Sequence, residues 1–176
     1  MDTEIILLLL PQIVLVLAGM VLMLLEPFTA AAHKGKLAWI AVLAAVAAAF
    51  SLQSQGLGQS RTILGGMFVV DSFSLFFQWI FLVILAVSSI ISIKFNERES
   101  INRGEYYALL LFATSGMSLM ASSNDLILTF VGIEILSIAT YVLAGFKKND
   151  RRSNESSLKY FLLGSFATAF LLYGDP

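Results

Sequence analysis

The amino-acid sequence predicts an all-α integral membrane protein with about six transmembrane helices. Hydrophobic residues make up 58% of the 176 residues and charged residues only 13%, whereas a soluble domain carries about 25% charged residues. The charges fall between long apolar runs and are rare within them. These runs do not alternate in polarity as the strands of a membrane barrel do, and an open sheet cannot satisfy its backbone hydrogen bonds in lipid. Helices are therefore expected in every apolar segment.

Six apolar segments have about the length that a helix needs to cross a bilayer. They cover residues 5–25, 37–53, 72–93, 106–122, 126–146 and 156–174. Pro11 lies near the predicted start of the first segment, where a proline disturbs few backbone hydrogen bonds. Small residues recur in the fourth and sixth segments, which predicts that these two helices lie inside a bundle. The connection at residues 53–66 is rich in Gly, Ser and Gln and is expected to be irregular and external.

The first segment is interpreted as a retained helix and not as a cleaved signal peptide. Asp2 and Glu4 stand where a signal peptide carries basic residues. The apolar run that follows is also longer than the apolar region of about 7–15 residues that is typical of signal peptides.

Lysine and arginine are unevenly distributed between the two ends of the predicted helices. The first, third and fifth connections carry nine cations, whereas the second carries Arg61 and the N-terminus and fourth connection carry none. Because Lys and Arg mark the cytoplasmic side of a membrane protein, the N-terminus is predicted outside and the first, third and fifth connections inside. The nine cations are Lys34, Lys36, Lys94, Arg98, Arg103, Lys147, Lys148, Arg151 and Arg152.

Composition excludes several classes of function. The net charge of −1 gives no reason to expect nucleic-acid binding. The absence of cysteine excludes disulfides, thiolate metal sites and thiol redox chemistry, and a single histidine, His33, cannot build a metal or haem site without further ligands of this kind. No Gly-rich phosphate loop or nucleophile elbow occurs in the sequence.

Glu134 is the most informative single residue. It lies alone in the middle of the apolar run LILTFVGIEILSIATYVLAGF. A charged side chain at that depth costs about 2.5–3.5 kcal/mol on insertion scales, so it needs a partner, a neutralising proton or a wet cavity. Its functional interpretation is a proton-binding site, because burial favours the protonated carboxyl and a nearby cation favours the carboxylate. The structural alternative is a carboxyl that hydrogen-bonds a neighbouring helix.

Two hydroxyl groups are predicted on the same helix face as this carboxyl. Ser137 follows Glu134 by three residues and Tyr141 follows it by seven, which places all three on one stripe. A carboxyl, a hydroxyl and a phenol in a row could support a hydrogen-bonded path that includes water.

Lys159 leaves two interpretations open. Glu155 precedes it by four residues, which is a favourable spacing for an ion pair on a helix. It could be an interfacial lysine whose amine reaches the cytoplasmic surface, or an internal amine that faces Glu134. Asp125 and Asp71 directly precede predicted helices and are interpreted as N-terminal caps.

Longer stretches of the chain resemble the antiporter-like membrane subunits of respiratory complex I, NADH:quinone oxidoreductase, and most of all the branch of subunit N. The resemblance is carried by NDLILTFVGIEILSIATYVLAGF, by the basic connection after it and by SLKYFLLGSFATAFLLYG. The upstream stretches PQIVLVLAGMVLMLLEPF and VVDSFSLFFQWIFL fit the same group, so the resemblance covers nearly all of the chain.

The resemblance implies a fold of about fourteen helices with two inverted repeats. Residues 1–104 would form an N-terminal three-helix segment, and residues 105–176 would be the truncated start of the first repeat. Glu134 matches the family's glutamate on the fifth helix and Lys159 matches a lysine on the sixth, which implies proton transfer through both. Because the family continues with further helices, the chain is expected to be an N-terminal fragment.

The resemblance also implies the setting in which the chain works. It implies a non-redox subunit of a proton-pumping translocase, with no cofactor of its own and with flavin, iron–sulfur clusters and quinone held by other subunits. The implied partners are other membrane-arm subunits, lipid and protons, in a bacterial inner membrane or a mitochondrial or plastid membrane. The alternatives are a subunit of a cation/proton antiporter or of a membrane-bound hydrogenase, a stand-alone carrier, and a structural membrane scaffold.

Overall fold

A computed structural model describes residues 2–29, 31–55, 60–99, 101 and 103–174. Within these residues the chain forms six α-helices and one two-stranded antiparallel hairpin, so the predicted number of helices is confirmed. The helices are α1 Asp2–Leu25, α2 Leu37–Gln53, α3 Ser72–Arg98, α4 Gly104–Ala121, α5 Leu126–Ala144 and α6 Arg151–Tyr173. The strands are β1 Arg61–Ile63 and β2 Phe68–Val70.

Length and apolar composition qualify four of the six helices as candidate membrane spans: α1, α2, α3 and α5. The sequence of α4 is diluted by Ser, Thr and Gly, and α6 begins with a charged first turn. These polar residues lower the mean hydropathy of the two helices without shortening them. The chain is therefore an integral membrane protein, and the crossing of the membrane by α4 and α6 stays a prediction.

Three helices begin at an aspartate whose carboxylate accepts backbone N–H groups of the first turn. Asp71 accepts from Ser74 N at 2.8 Å, and the Ser74 hydroxyl accepts from Asp71 N at 2.9 Å, which completes a capping box. Asp125 accepts from Ile127 N at 2.9 Å. Both predicted caps are confirmed. A third cap, Asp150, starts α6 five residues earlier than its apolar segment suggested, because a capped polar turn precedes the apolar part.

The core lies among α1, α2, α3 and α4. Helix α4 packs against α1, α3 and α5, and it buries nine residues, which agrees with its predicted interior position. Helix α6 packs against α5 and has no buried residue within its described length, so the interior position predicted for it is wrong for this part of the fold. Small residues allow another helix to pack closely, but their presence does not show that a helix packs there. Helix α2 contributes an alanine face: Ala38, Ala41, Ala45 and Ala48.

Pro11 lies inside α1 and not near its start, because the helix begins at Asp2. A proline has no N–H, so the carbonyl of Leu7, four residues earlier, lacks its helical donor. The side chain of Gln55 supplies one: its Nε2 donates to Leu7 O and to Leu8 O, at 3.2 Å each. A residue just beyond the end of α2 thus completes the backbone hydrogen bonding of α1.

The connection after α2 is more regular than its composition suggested. Residues 56–59 lie outside the described residues, but β1 and β2 pair in register from Arg61↔Val70 to Ile63↔Phe68. The turn is possible because Gly65 and Gly66 take positive φ values of 69° and 95°. Phe68 and Val70 are buried, and burial of this apolar face of β2 explains why the segment folds as a hairpin.

The hairpin is tied to the turn between α4 and α5. The N–H of Val69 donates to Ser122 O at 2.8 Å, and the N–H of Asn124 donates to Met67 O at 2.8 Å. The Asn124 side chain also donates to Gly66 O at 3.1 Å. The start of the Glu134 helix is therefore anchored to the connection between α2 and α3.

A chain of polar side chains crosses the core near the same end. Gln12 on α1 donates through Nε2 to Gln78 Oε1 at 3.2 Å, and Gln78 on α3 donates through Nε2 to Ser122 Oγ at 2.9 Å. Gln78 and Ser122 are each 1% exposed. This Gln12–Gln78–Ser122 chain links α1, α3 and the end of α4.

The connections that carry the predicted cytoplasmic cations lie together at the opposite end. Lys34 pairs with Glu26 in the first connection, and a side chain added at Gly104 would meet Glu26 Cγ at 2.9 Å. Lys147 Nζ lies 2.9 Å from Glu99 Oε2, which joins the fifth connection to the third. These contacts confirm that the three basic connections share one end of the bundle; which side of the membrane that end faces stays a prediction.

Candidate functional site

The helix that carries Glu134 crosses α4 at very close range. A Cβ atom built on Gly116 would lie 2.8 Å from Gly132 O and 2.9 Å from Leu136 N, and one built on Gly132 would lie 2.5 Å from Met120 Cγ. Both glycines are needed for this approach of the two backbones. The crossing fixes α5 two residues before Glu134, so the level of the carboxyl in the bundle is set by backbone packing.

Glu134 lies on α5 at the border between the side that faces α6 and an exposed apolar stripe. The carboxyl side chain is half-buried, and no donor among the described residues forms a hydrogen bond or ion pair with it. The contacts with α4 use another face of the helix, around Gly132 and Ala139. The exposed stripe beside Glu134 consists of Ile127, Val131, Ile138 and Val142.

Helices α5 and α6 form an antiparallel pair that is held by two serine hydroxyls near the turn. Ser153 Oγ donates to Ala144 O at 2.7 Å, and Ser157 Oγ donates to Tyr141 O at 2.8 Å. The Ala144 carbonyl, in the last turn of α5, lacks an N–H partner within its own helix, whereas the Tyr141 carbonyl also accepts the backbone N–H of Gly145 at 3.2 Å. Polar residues in the first turns of α6 thus stabilise the end of α5.

A cleft of about 470 Å³ lies between α5 and α6. Ser137 and Tyr141, the two hydroxyl residues predicted on the Glu134 face, both line it. Three lining residues were not singled out from the sequence as parts of a polar path: Thr140, Tyr160 and Gly164. Thr140 donates to the Ser137 carbonyl at 2.9 Å. The Ser137 and Tyr141 hydroxyls have no protein hydrogen-bond partner in the described part of the chain, so both are available to water.

Lys159 is placed away from Glu134. Its Nζ donates to Glu155 Oε1 at 2.7 Å, and the two side chains are 69% and 56% exposed. The next residue, Tyr160, has its ring centroid 6.0 Å from that of Tyr141, so Lys159 lies at the level of Tyr141. Glu134 precedes Tyr141 by seven residues, or about 10 Å along the helix axis. In this structure Lys159 forms the pair with Glu155 and does not reach the carboxyl of Glu134.

The predicted hairpin of two helices could have indicated from the sequence that Gly164 and Tyr160 lie near Tyr141. Two helices joined by a short turn bring residues on either side of the turn together, and Tyr141 and Gly164 lie on opposite sides of the connection at residues 145–150. Within the described residues no group of three or more His, Cys, Asp or Glu side chains is arranged to hold a metal ion. The polar groups of the site are therefore one carboxyl, several hydroxyls and an ion pair.

Comparison with known proteins gives a consistent set of relatives. Residues 123–175, which contain α5 and α6, match the family described as "NADH:quinone oxidoreductase/Mrp antiporter, TM". The chain is 43% identical over 164 residues to NADH-quinone oxidoreductase subunit N of Trichlorobacter lovleyi, an alignment that covers 93% of this chain and 34% of the relative. It is 40% identical over 171 residues to F(420)H(2) dehydrogenase subunit N of Methanosarcina mazei, again with 93% and 34% covered.

The fold also matches a solved structure. A chain of respiratory complex I from Thermus thermophilus, determined with bound aureothin, superposes with a TM-score of 0.74 at 29% sequence identity. The match covers 93% of this chain and 35% of that one. The chain thus spans about a third of the length of the relatives that it matches.

Proposed function

Because this chain belongs to the antiporter-like membrane subunits of the NADH:quinone oxidoreductase family, we propose that it is a proton-translocating, non-redox part of the membrane arm of that complex. Glu134 is the proton-binding group. Ser137 and Tyr141 form a polar path along α5, and Lys159 is the cation at its basic end. In this proposal quinone reduction elsewhere in the complex changes the charge and hydration around Glu134, and so its affinity for protons.

The single observation that supports this role most strongly is the isolation of the Glu134 carboxyl. It lies in the middle of a helix that qualifies as a membrane span, and no hydrogen bond or ion pair joins it to any other described residue. Neither α4 nor α6, the two helices that pack against α5 among the described residues, offers it a hydrogen-bond partner. An uncompensated carboxylate is costly in lipid, so a carboxyl at this position is typical of a functional site.

The cleft between α5 and α6 supports the direction of the path. Its hydroxyl groups lie between the level of Glu134 and the end of the bundle that carries Lys147, Arg151 and Arg152. A proton that enters at the basic end would pass water, Tyr141 and Ser137 before it reaches the carboxyl. Lys159, at the level of Tyr141, would raise or lower the cost of a positive charge there according to its pairing with Glu155.

The experiment compares Glu134→Gln and Glu134→Asp in the full-length subunit of the assembled complex. Gln keeps the shape and hydrogen-bonding capacity of Glu but cannot exchange a proton, so it separates proton transfer from helix packing. We expect Gln to lower NADH-driven proton uptake by inverted vesicles at least about tenfold per assembled complex, and Asp to retain part of it.

The matched control is Glu97→Gln, which changes an exposed carboxylate in the last turn of α3. It is expected to pump like the wild type. If Glu134→Gln also pumps like the wild type, the carboxyl is structural and the proposed function is wrong.

The proposed setting follows the relatives. The partners are other membrane-arm subunits and the lipid of an energy-coupling membrane, most simply the inner membrane of a bacterium. This chain would hold no redox cofactor, and flavin, iron–sulfur clusters and quinone would belong to other subunits. Co-purification of the full-length subunit with flavin and iron–sulfur proteins tests this assignment, and purification without them would contradict it.

The comparisons favour a second candidate for the electron donor and a second candidate for the transported ion. The F(420)H(2) dehydrogenase subunit is nearly as similar as the NADH-quinone oxidoreductase subunits, which favours F(420)H(2) as a second candidate for the electron donor of the complex. The matching family also includes Mrp antiporters, for which Glu134 would exchange protons against a cation. Proton uptake driven by NADH, by F(420)H(2), or by a Na⁺ gradient without any electron donor distinguishes the three.

A further inference from the structure

Gly164 on α6 occupies a position where a side chain would displace the phenol of Tyr141. A Cβ atom built on Gly164 would lie 1.6 Å from the Tyr141 hydroxyl oxygen, 2.5 Å from its Cζ and 3.2 Å from its Cε1. These distances are far inside van der Waals contact. The phenol therefore lies directly on the bare backbone of α6, in a slot that exists because residue 164 is glycine.

The surroundings leave this phenol little freedom to move elsewhere. Its ring centroid lies 6.0 Å from the ring of Tyr160 and 6.0 Å from that of Phe161, which lies nearly perpendicular to it at 86°. The carbonyl of Tyr141 accepts the hydroxyl of Ser157, which fixes the backbone at the same level. The two rings and the helix backbone thus bound the tyrosine on three sides.

That orientation places the hydroxyl in the α5–α6 cleft. Tyr141, Gly164 and Ser137 all line the cleft, and the hydroxyl has no protein partner among the described residues. Ser137 lies one helical turn further along α5 toward Glu134. The phenol of Tyr141 thus lies between the basic end of the bundle and the proposed proton-binding carboxyl.

We propose that Gly164 is a positioning residue for proton transfer, because it holds the Tyr141 hydroxyl on the path to Glu134. The proposal rests on the proposed function and deepens it. In each transfer the phenol oxygen accepts a proton from water on the basic side while its own proton leaves to water or Ser137 on the Glu134 side. One O–H bond forms as another breaks, so the phenol is restored and its charge is unchanged after the step.

The experiment is a double-mutant cycle in the full-length subunit of the assembled complex, with Gly164→Ala, Tyr141→Ala, both together, and Tyr141→Phe. Two quantities are measured: the midpoint of thermal unfolding and proton uptake per assembled complex as a function of pH. Gly174→Ala is the matched control, since the same methyl group just after the end of α6 would have its nearest contact with Phe170 O at 3.2 Å.

The unfolding midpoints test the slot without reference to pumping. Gly164→Ala is expected to lower the midpoint when Tyr141 is present and to have little effect in the Tyr141→Ala background, because the methyl group then fills the space that the ring left. Contacting residues show such non-additivity and distant ones do not. If Gly164→Ala lowers the midpoint equally with and without Tyr141, the claim that the phenol occupies the space over Gly164 is wrong.

Pumping tests the positioning role. Gly164→Ala is expected to lower proton uptake at least about threefold, with the same change of pH profile as Tyr141→Phe, and to cause no further loss when it is combined with Tyr141→Ala. A merely structural defect would reduce the amount of complex and leave the pH profile per complex unchanged, which would refute the positioning role. Normal pumping by Glu134→Gln would instead refute the proposed function, and the unfolding data on the slot would stand apart from that result.

Discussion

The Gln12–Gln78–Ser122 chain makes a quantitative prediction for the substitution Gln78→Leu. Leucine is similar in size and apolar, so the substitution removes two hydrogen bonds, at 3.2 Å and 2.9 Å, with little loss of packing. Side-chain hydrogen bonds in membrane proteins contribute about 0.6 kcal/mol on average and up to about 1.7 kcal/mol. Gln78 is 1% exposed, so water cannot replace it as a partner. We expect a loss of about 1 to 2 kcal/mol in the free energy of unfolding, since two such bonds together contribute about 1.2 kcal/mol on average.

The pairing also predicts that the effects of two substitutions do not add. Gln12→Leu alone removes one bond and leaves the Gln78 carbonyl oxygen without its donor, whereas Gln12→Leu with Gln78→Leu leaves no unpaired amide at the α1–α3 contact. Replacing both partners of a buried hydrogen bond by apolar groups is often close to neutral. The double variant is therefore expected to be about 1 kcal/mol more stable than the sum of the single effects predicts.

The assay is reversible unfolding of the full-length subunit in mixed detergent micelles, followed by circular dichroism. Gln53→Leu is the matched control, because it makes the same chemical change at an exposed glutamine at the end of α2. If Gln78→Leu costs no more than Gln53→Leu, or if the two core substitutions are simply additive, the hydrogen-bonded chain does not contribute to stability as described.

Two further predictions concern the basic end and the orientation of the bundle. Lys147 lowers the pKa of Glu99, chiefly by its hydrogen bond and then by its charge, and Glu99 raises the pKa of Lys147 in return. The ion pair between Lys147 and Glu99 contributes its full stability at neutral pH. That contribution is lost as the pH falls through the lowered pKa of Glu99 or rises through the raised pKa of Lys147. The difference in unfolding midpoint between wild type and Lys147→Met should therefore vanish at both extremes, while exposed Lys148→Met differs little from wild type at any pH. For the orientation, the chain has no cysteine, so Ser60→Cys and Lys148→Cys introduce unique labels at opposite ends of the bundle. They should react with an impermeant thiol reagent from opposite sides of the membrane, and reaction of both from the same side would contradict the predicted topology.

The helices and their caps could be predicted because their signals are local. An apolar run of about 20 residues and an aspartate before it define a helix and its start without reference to the rest of the chain. Asp71 and Asp125 cap as expected, and α2 has the predicted bounds Leu37–Gln53. The extra turn of α3 to Arg98 was missed because charged residues end an apolar run before they end a helix.

The remaining features depend on partners that are distant in sequence. The hairpin at β1 and β2 is stabilised by burial of Phe68 and by the α4–α5 turn, and neither is visible in a Gly- and Gln-rich connection. The Glu134 carboxyl could be identified from its position in an apolar run, but the slot under Tyr141 could not. It depends on the rotation of α6 about its own axis, which the sequence of a helix with small residues on several sides does not determine.

The Gln55 side chain donates to Leu7 O in place of the backbone N–H that Pro11 lacks, so substitutions at Pro11 and Gln55 affect each other. An ordinary residue in place of Pro11 would bring its own N–H to Leu7 O and would leave the Gln55 amide in competition for that acceptor. Loss of Gln55 while Pro11 remains would instead leave the Leu7 carbonyl, which belongs to a candidate membrane span, with no donor, and lipid does not tolerate an unsatisfied carbonyl. The order of the two substitutions therefore matters. A lineage can replace Pro11 first and Gln55 afterwards at little cost. The reverse order passes through an intermediate in which a backbone carbonyl has no hydrogen-bond donor.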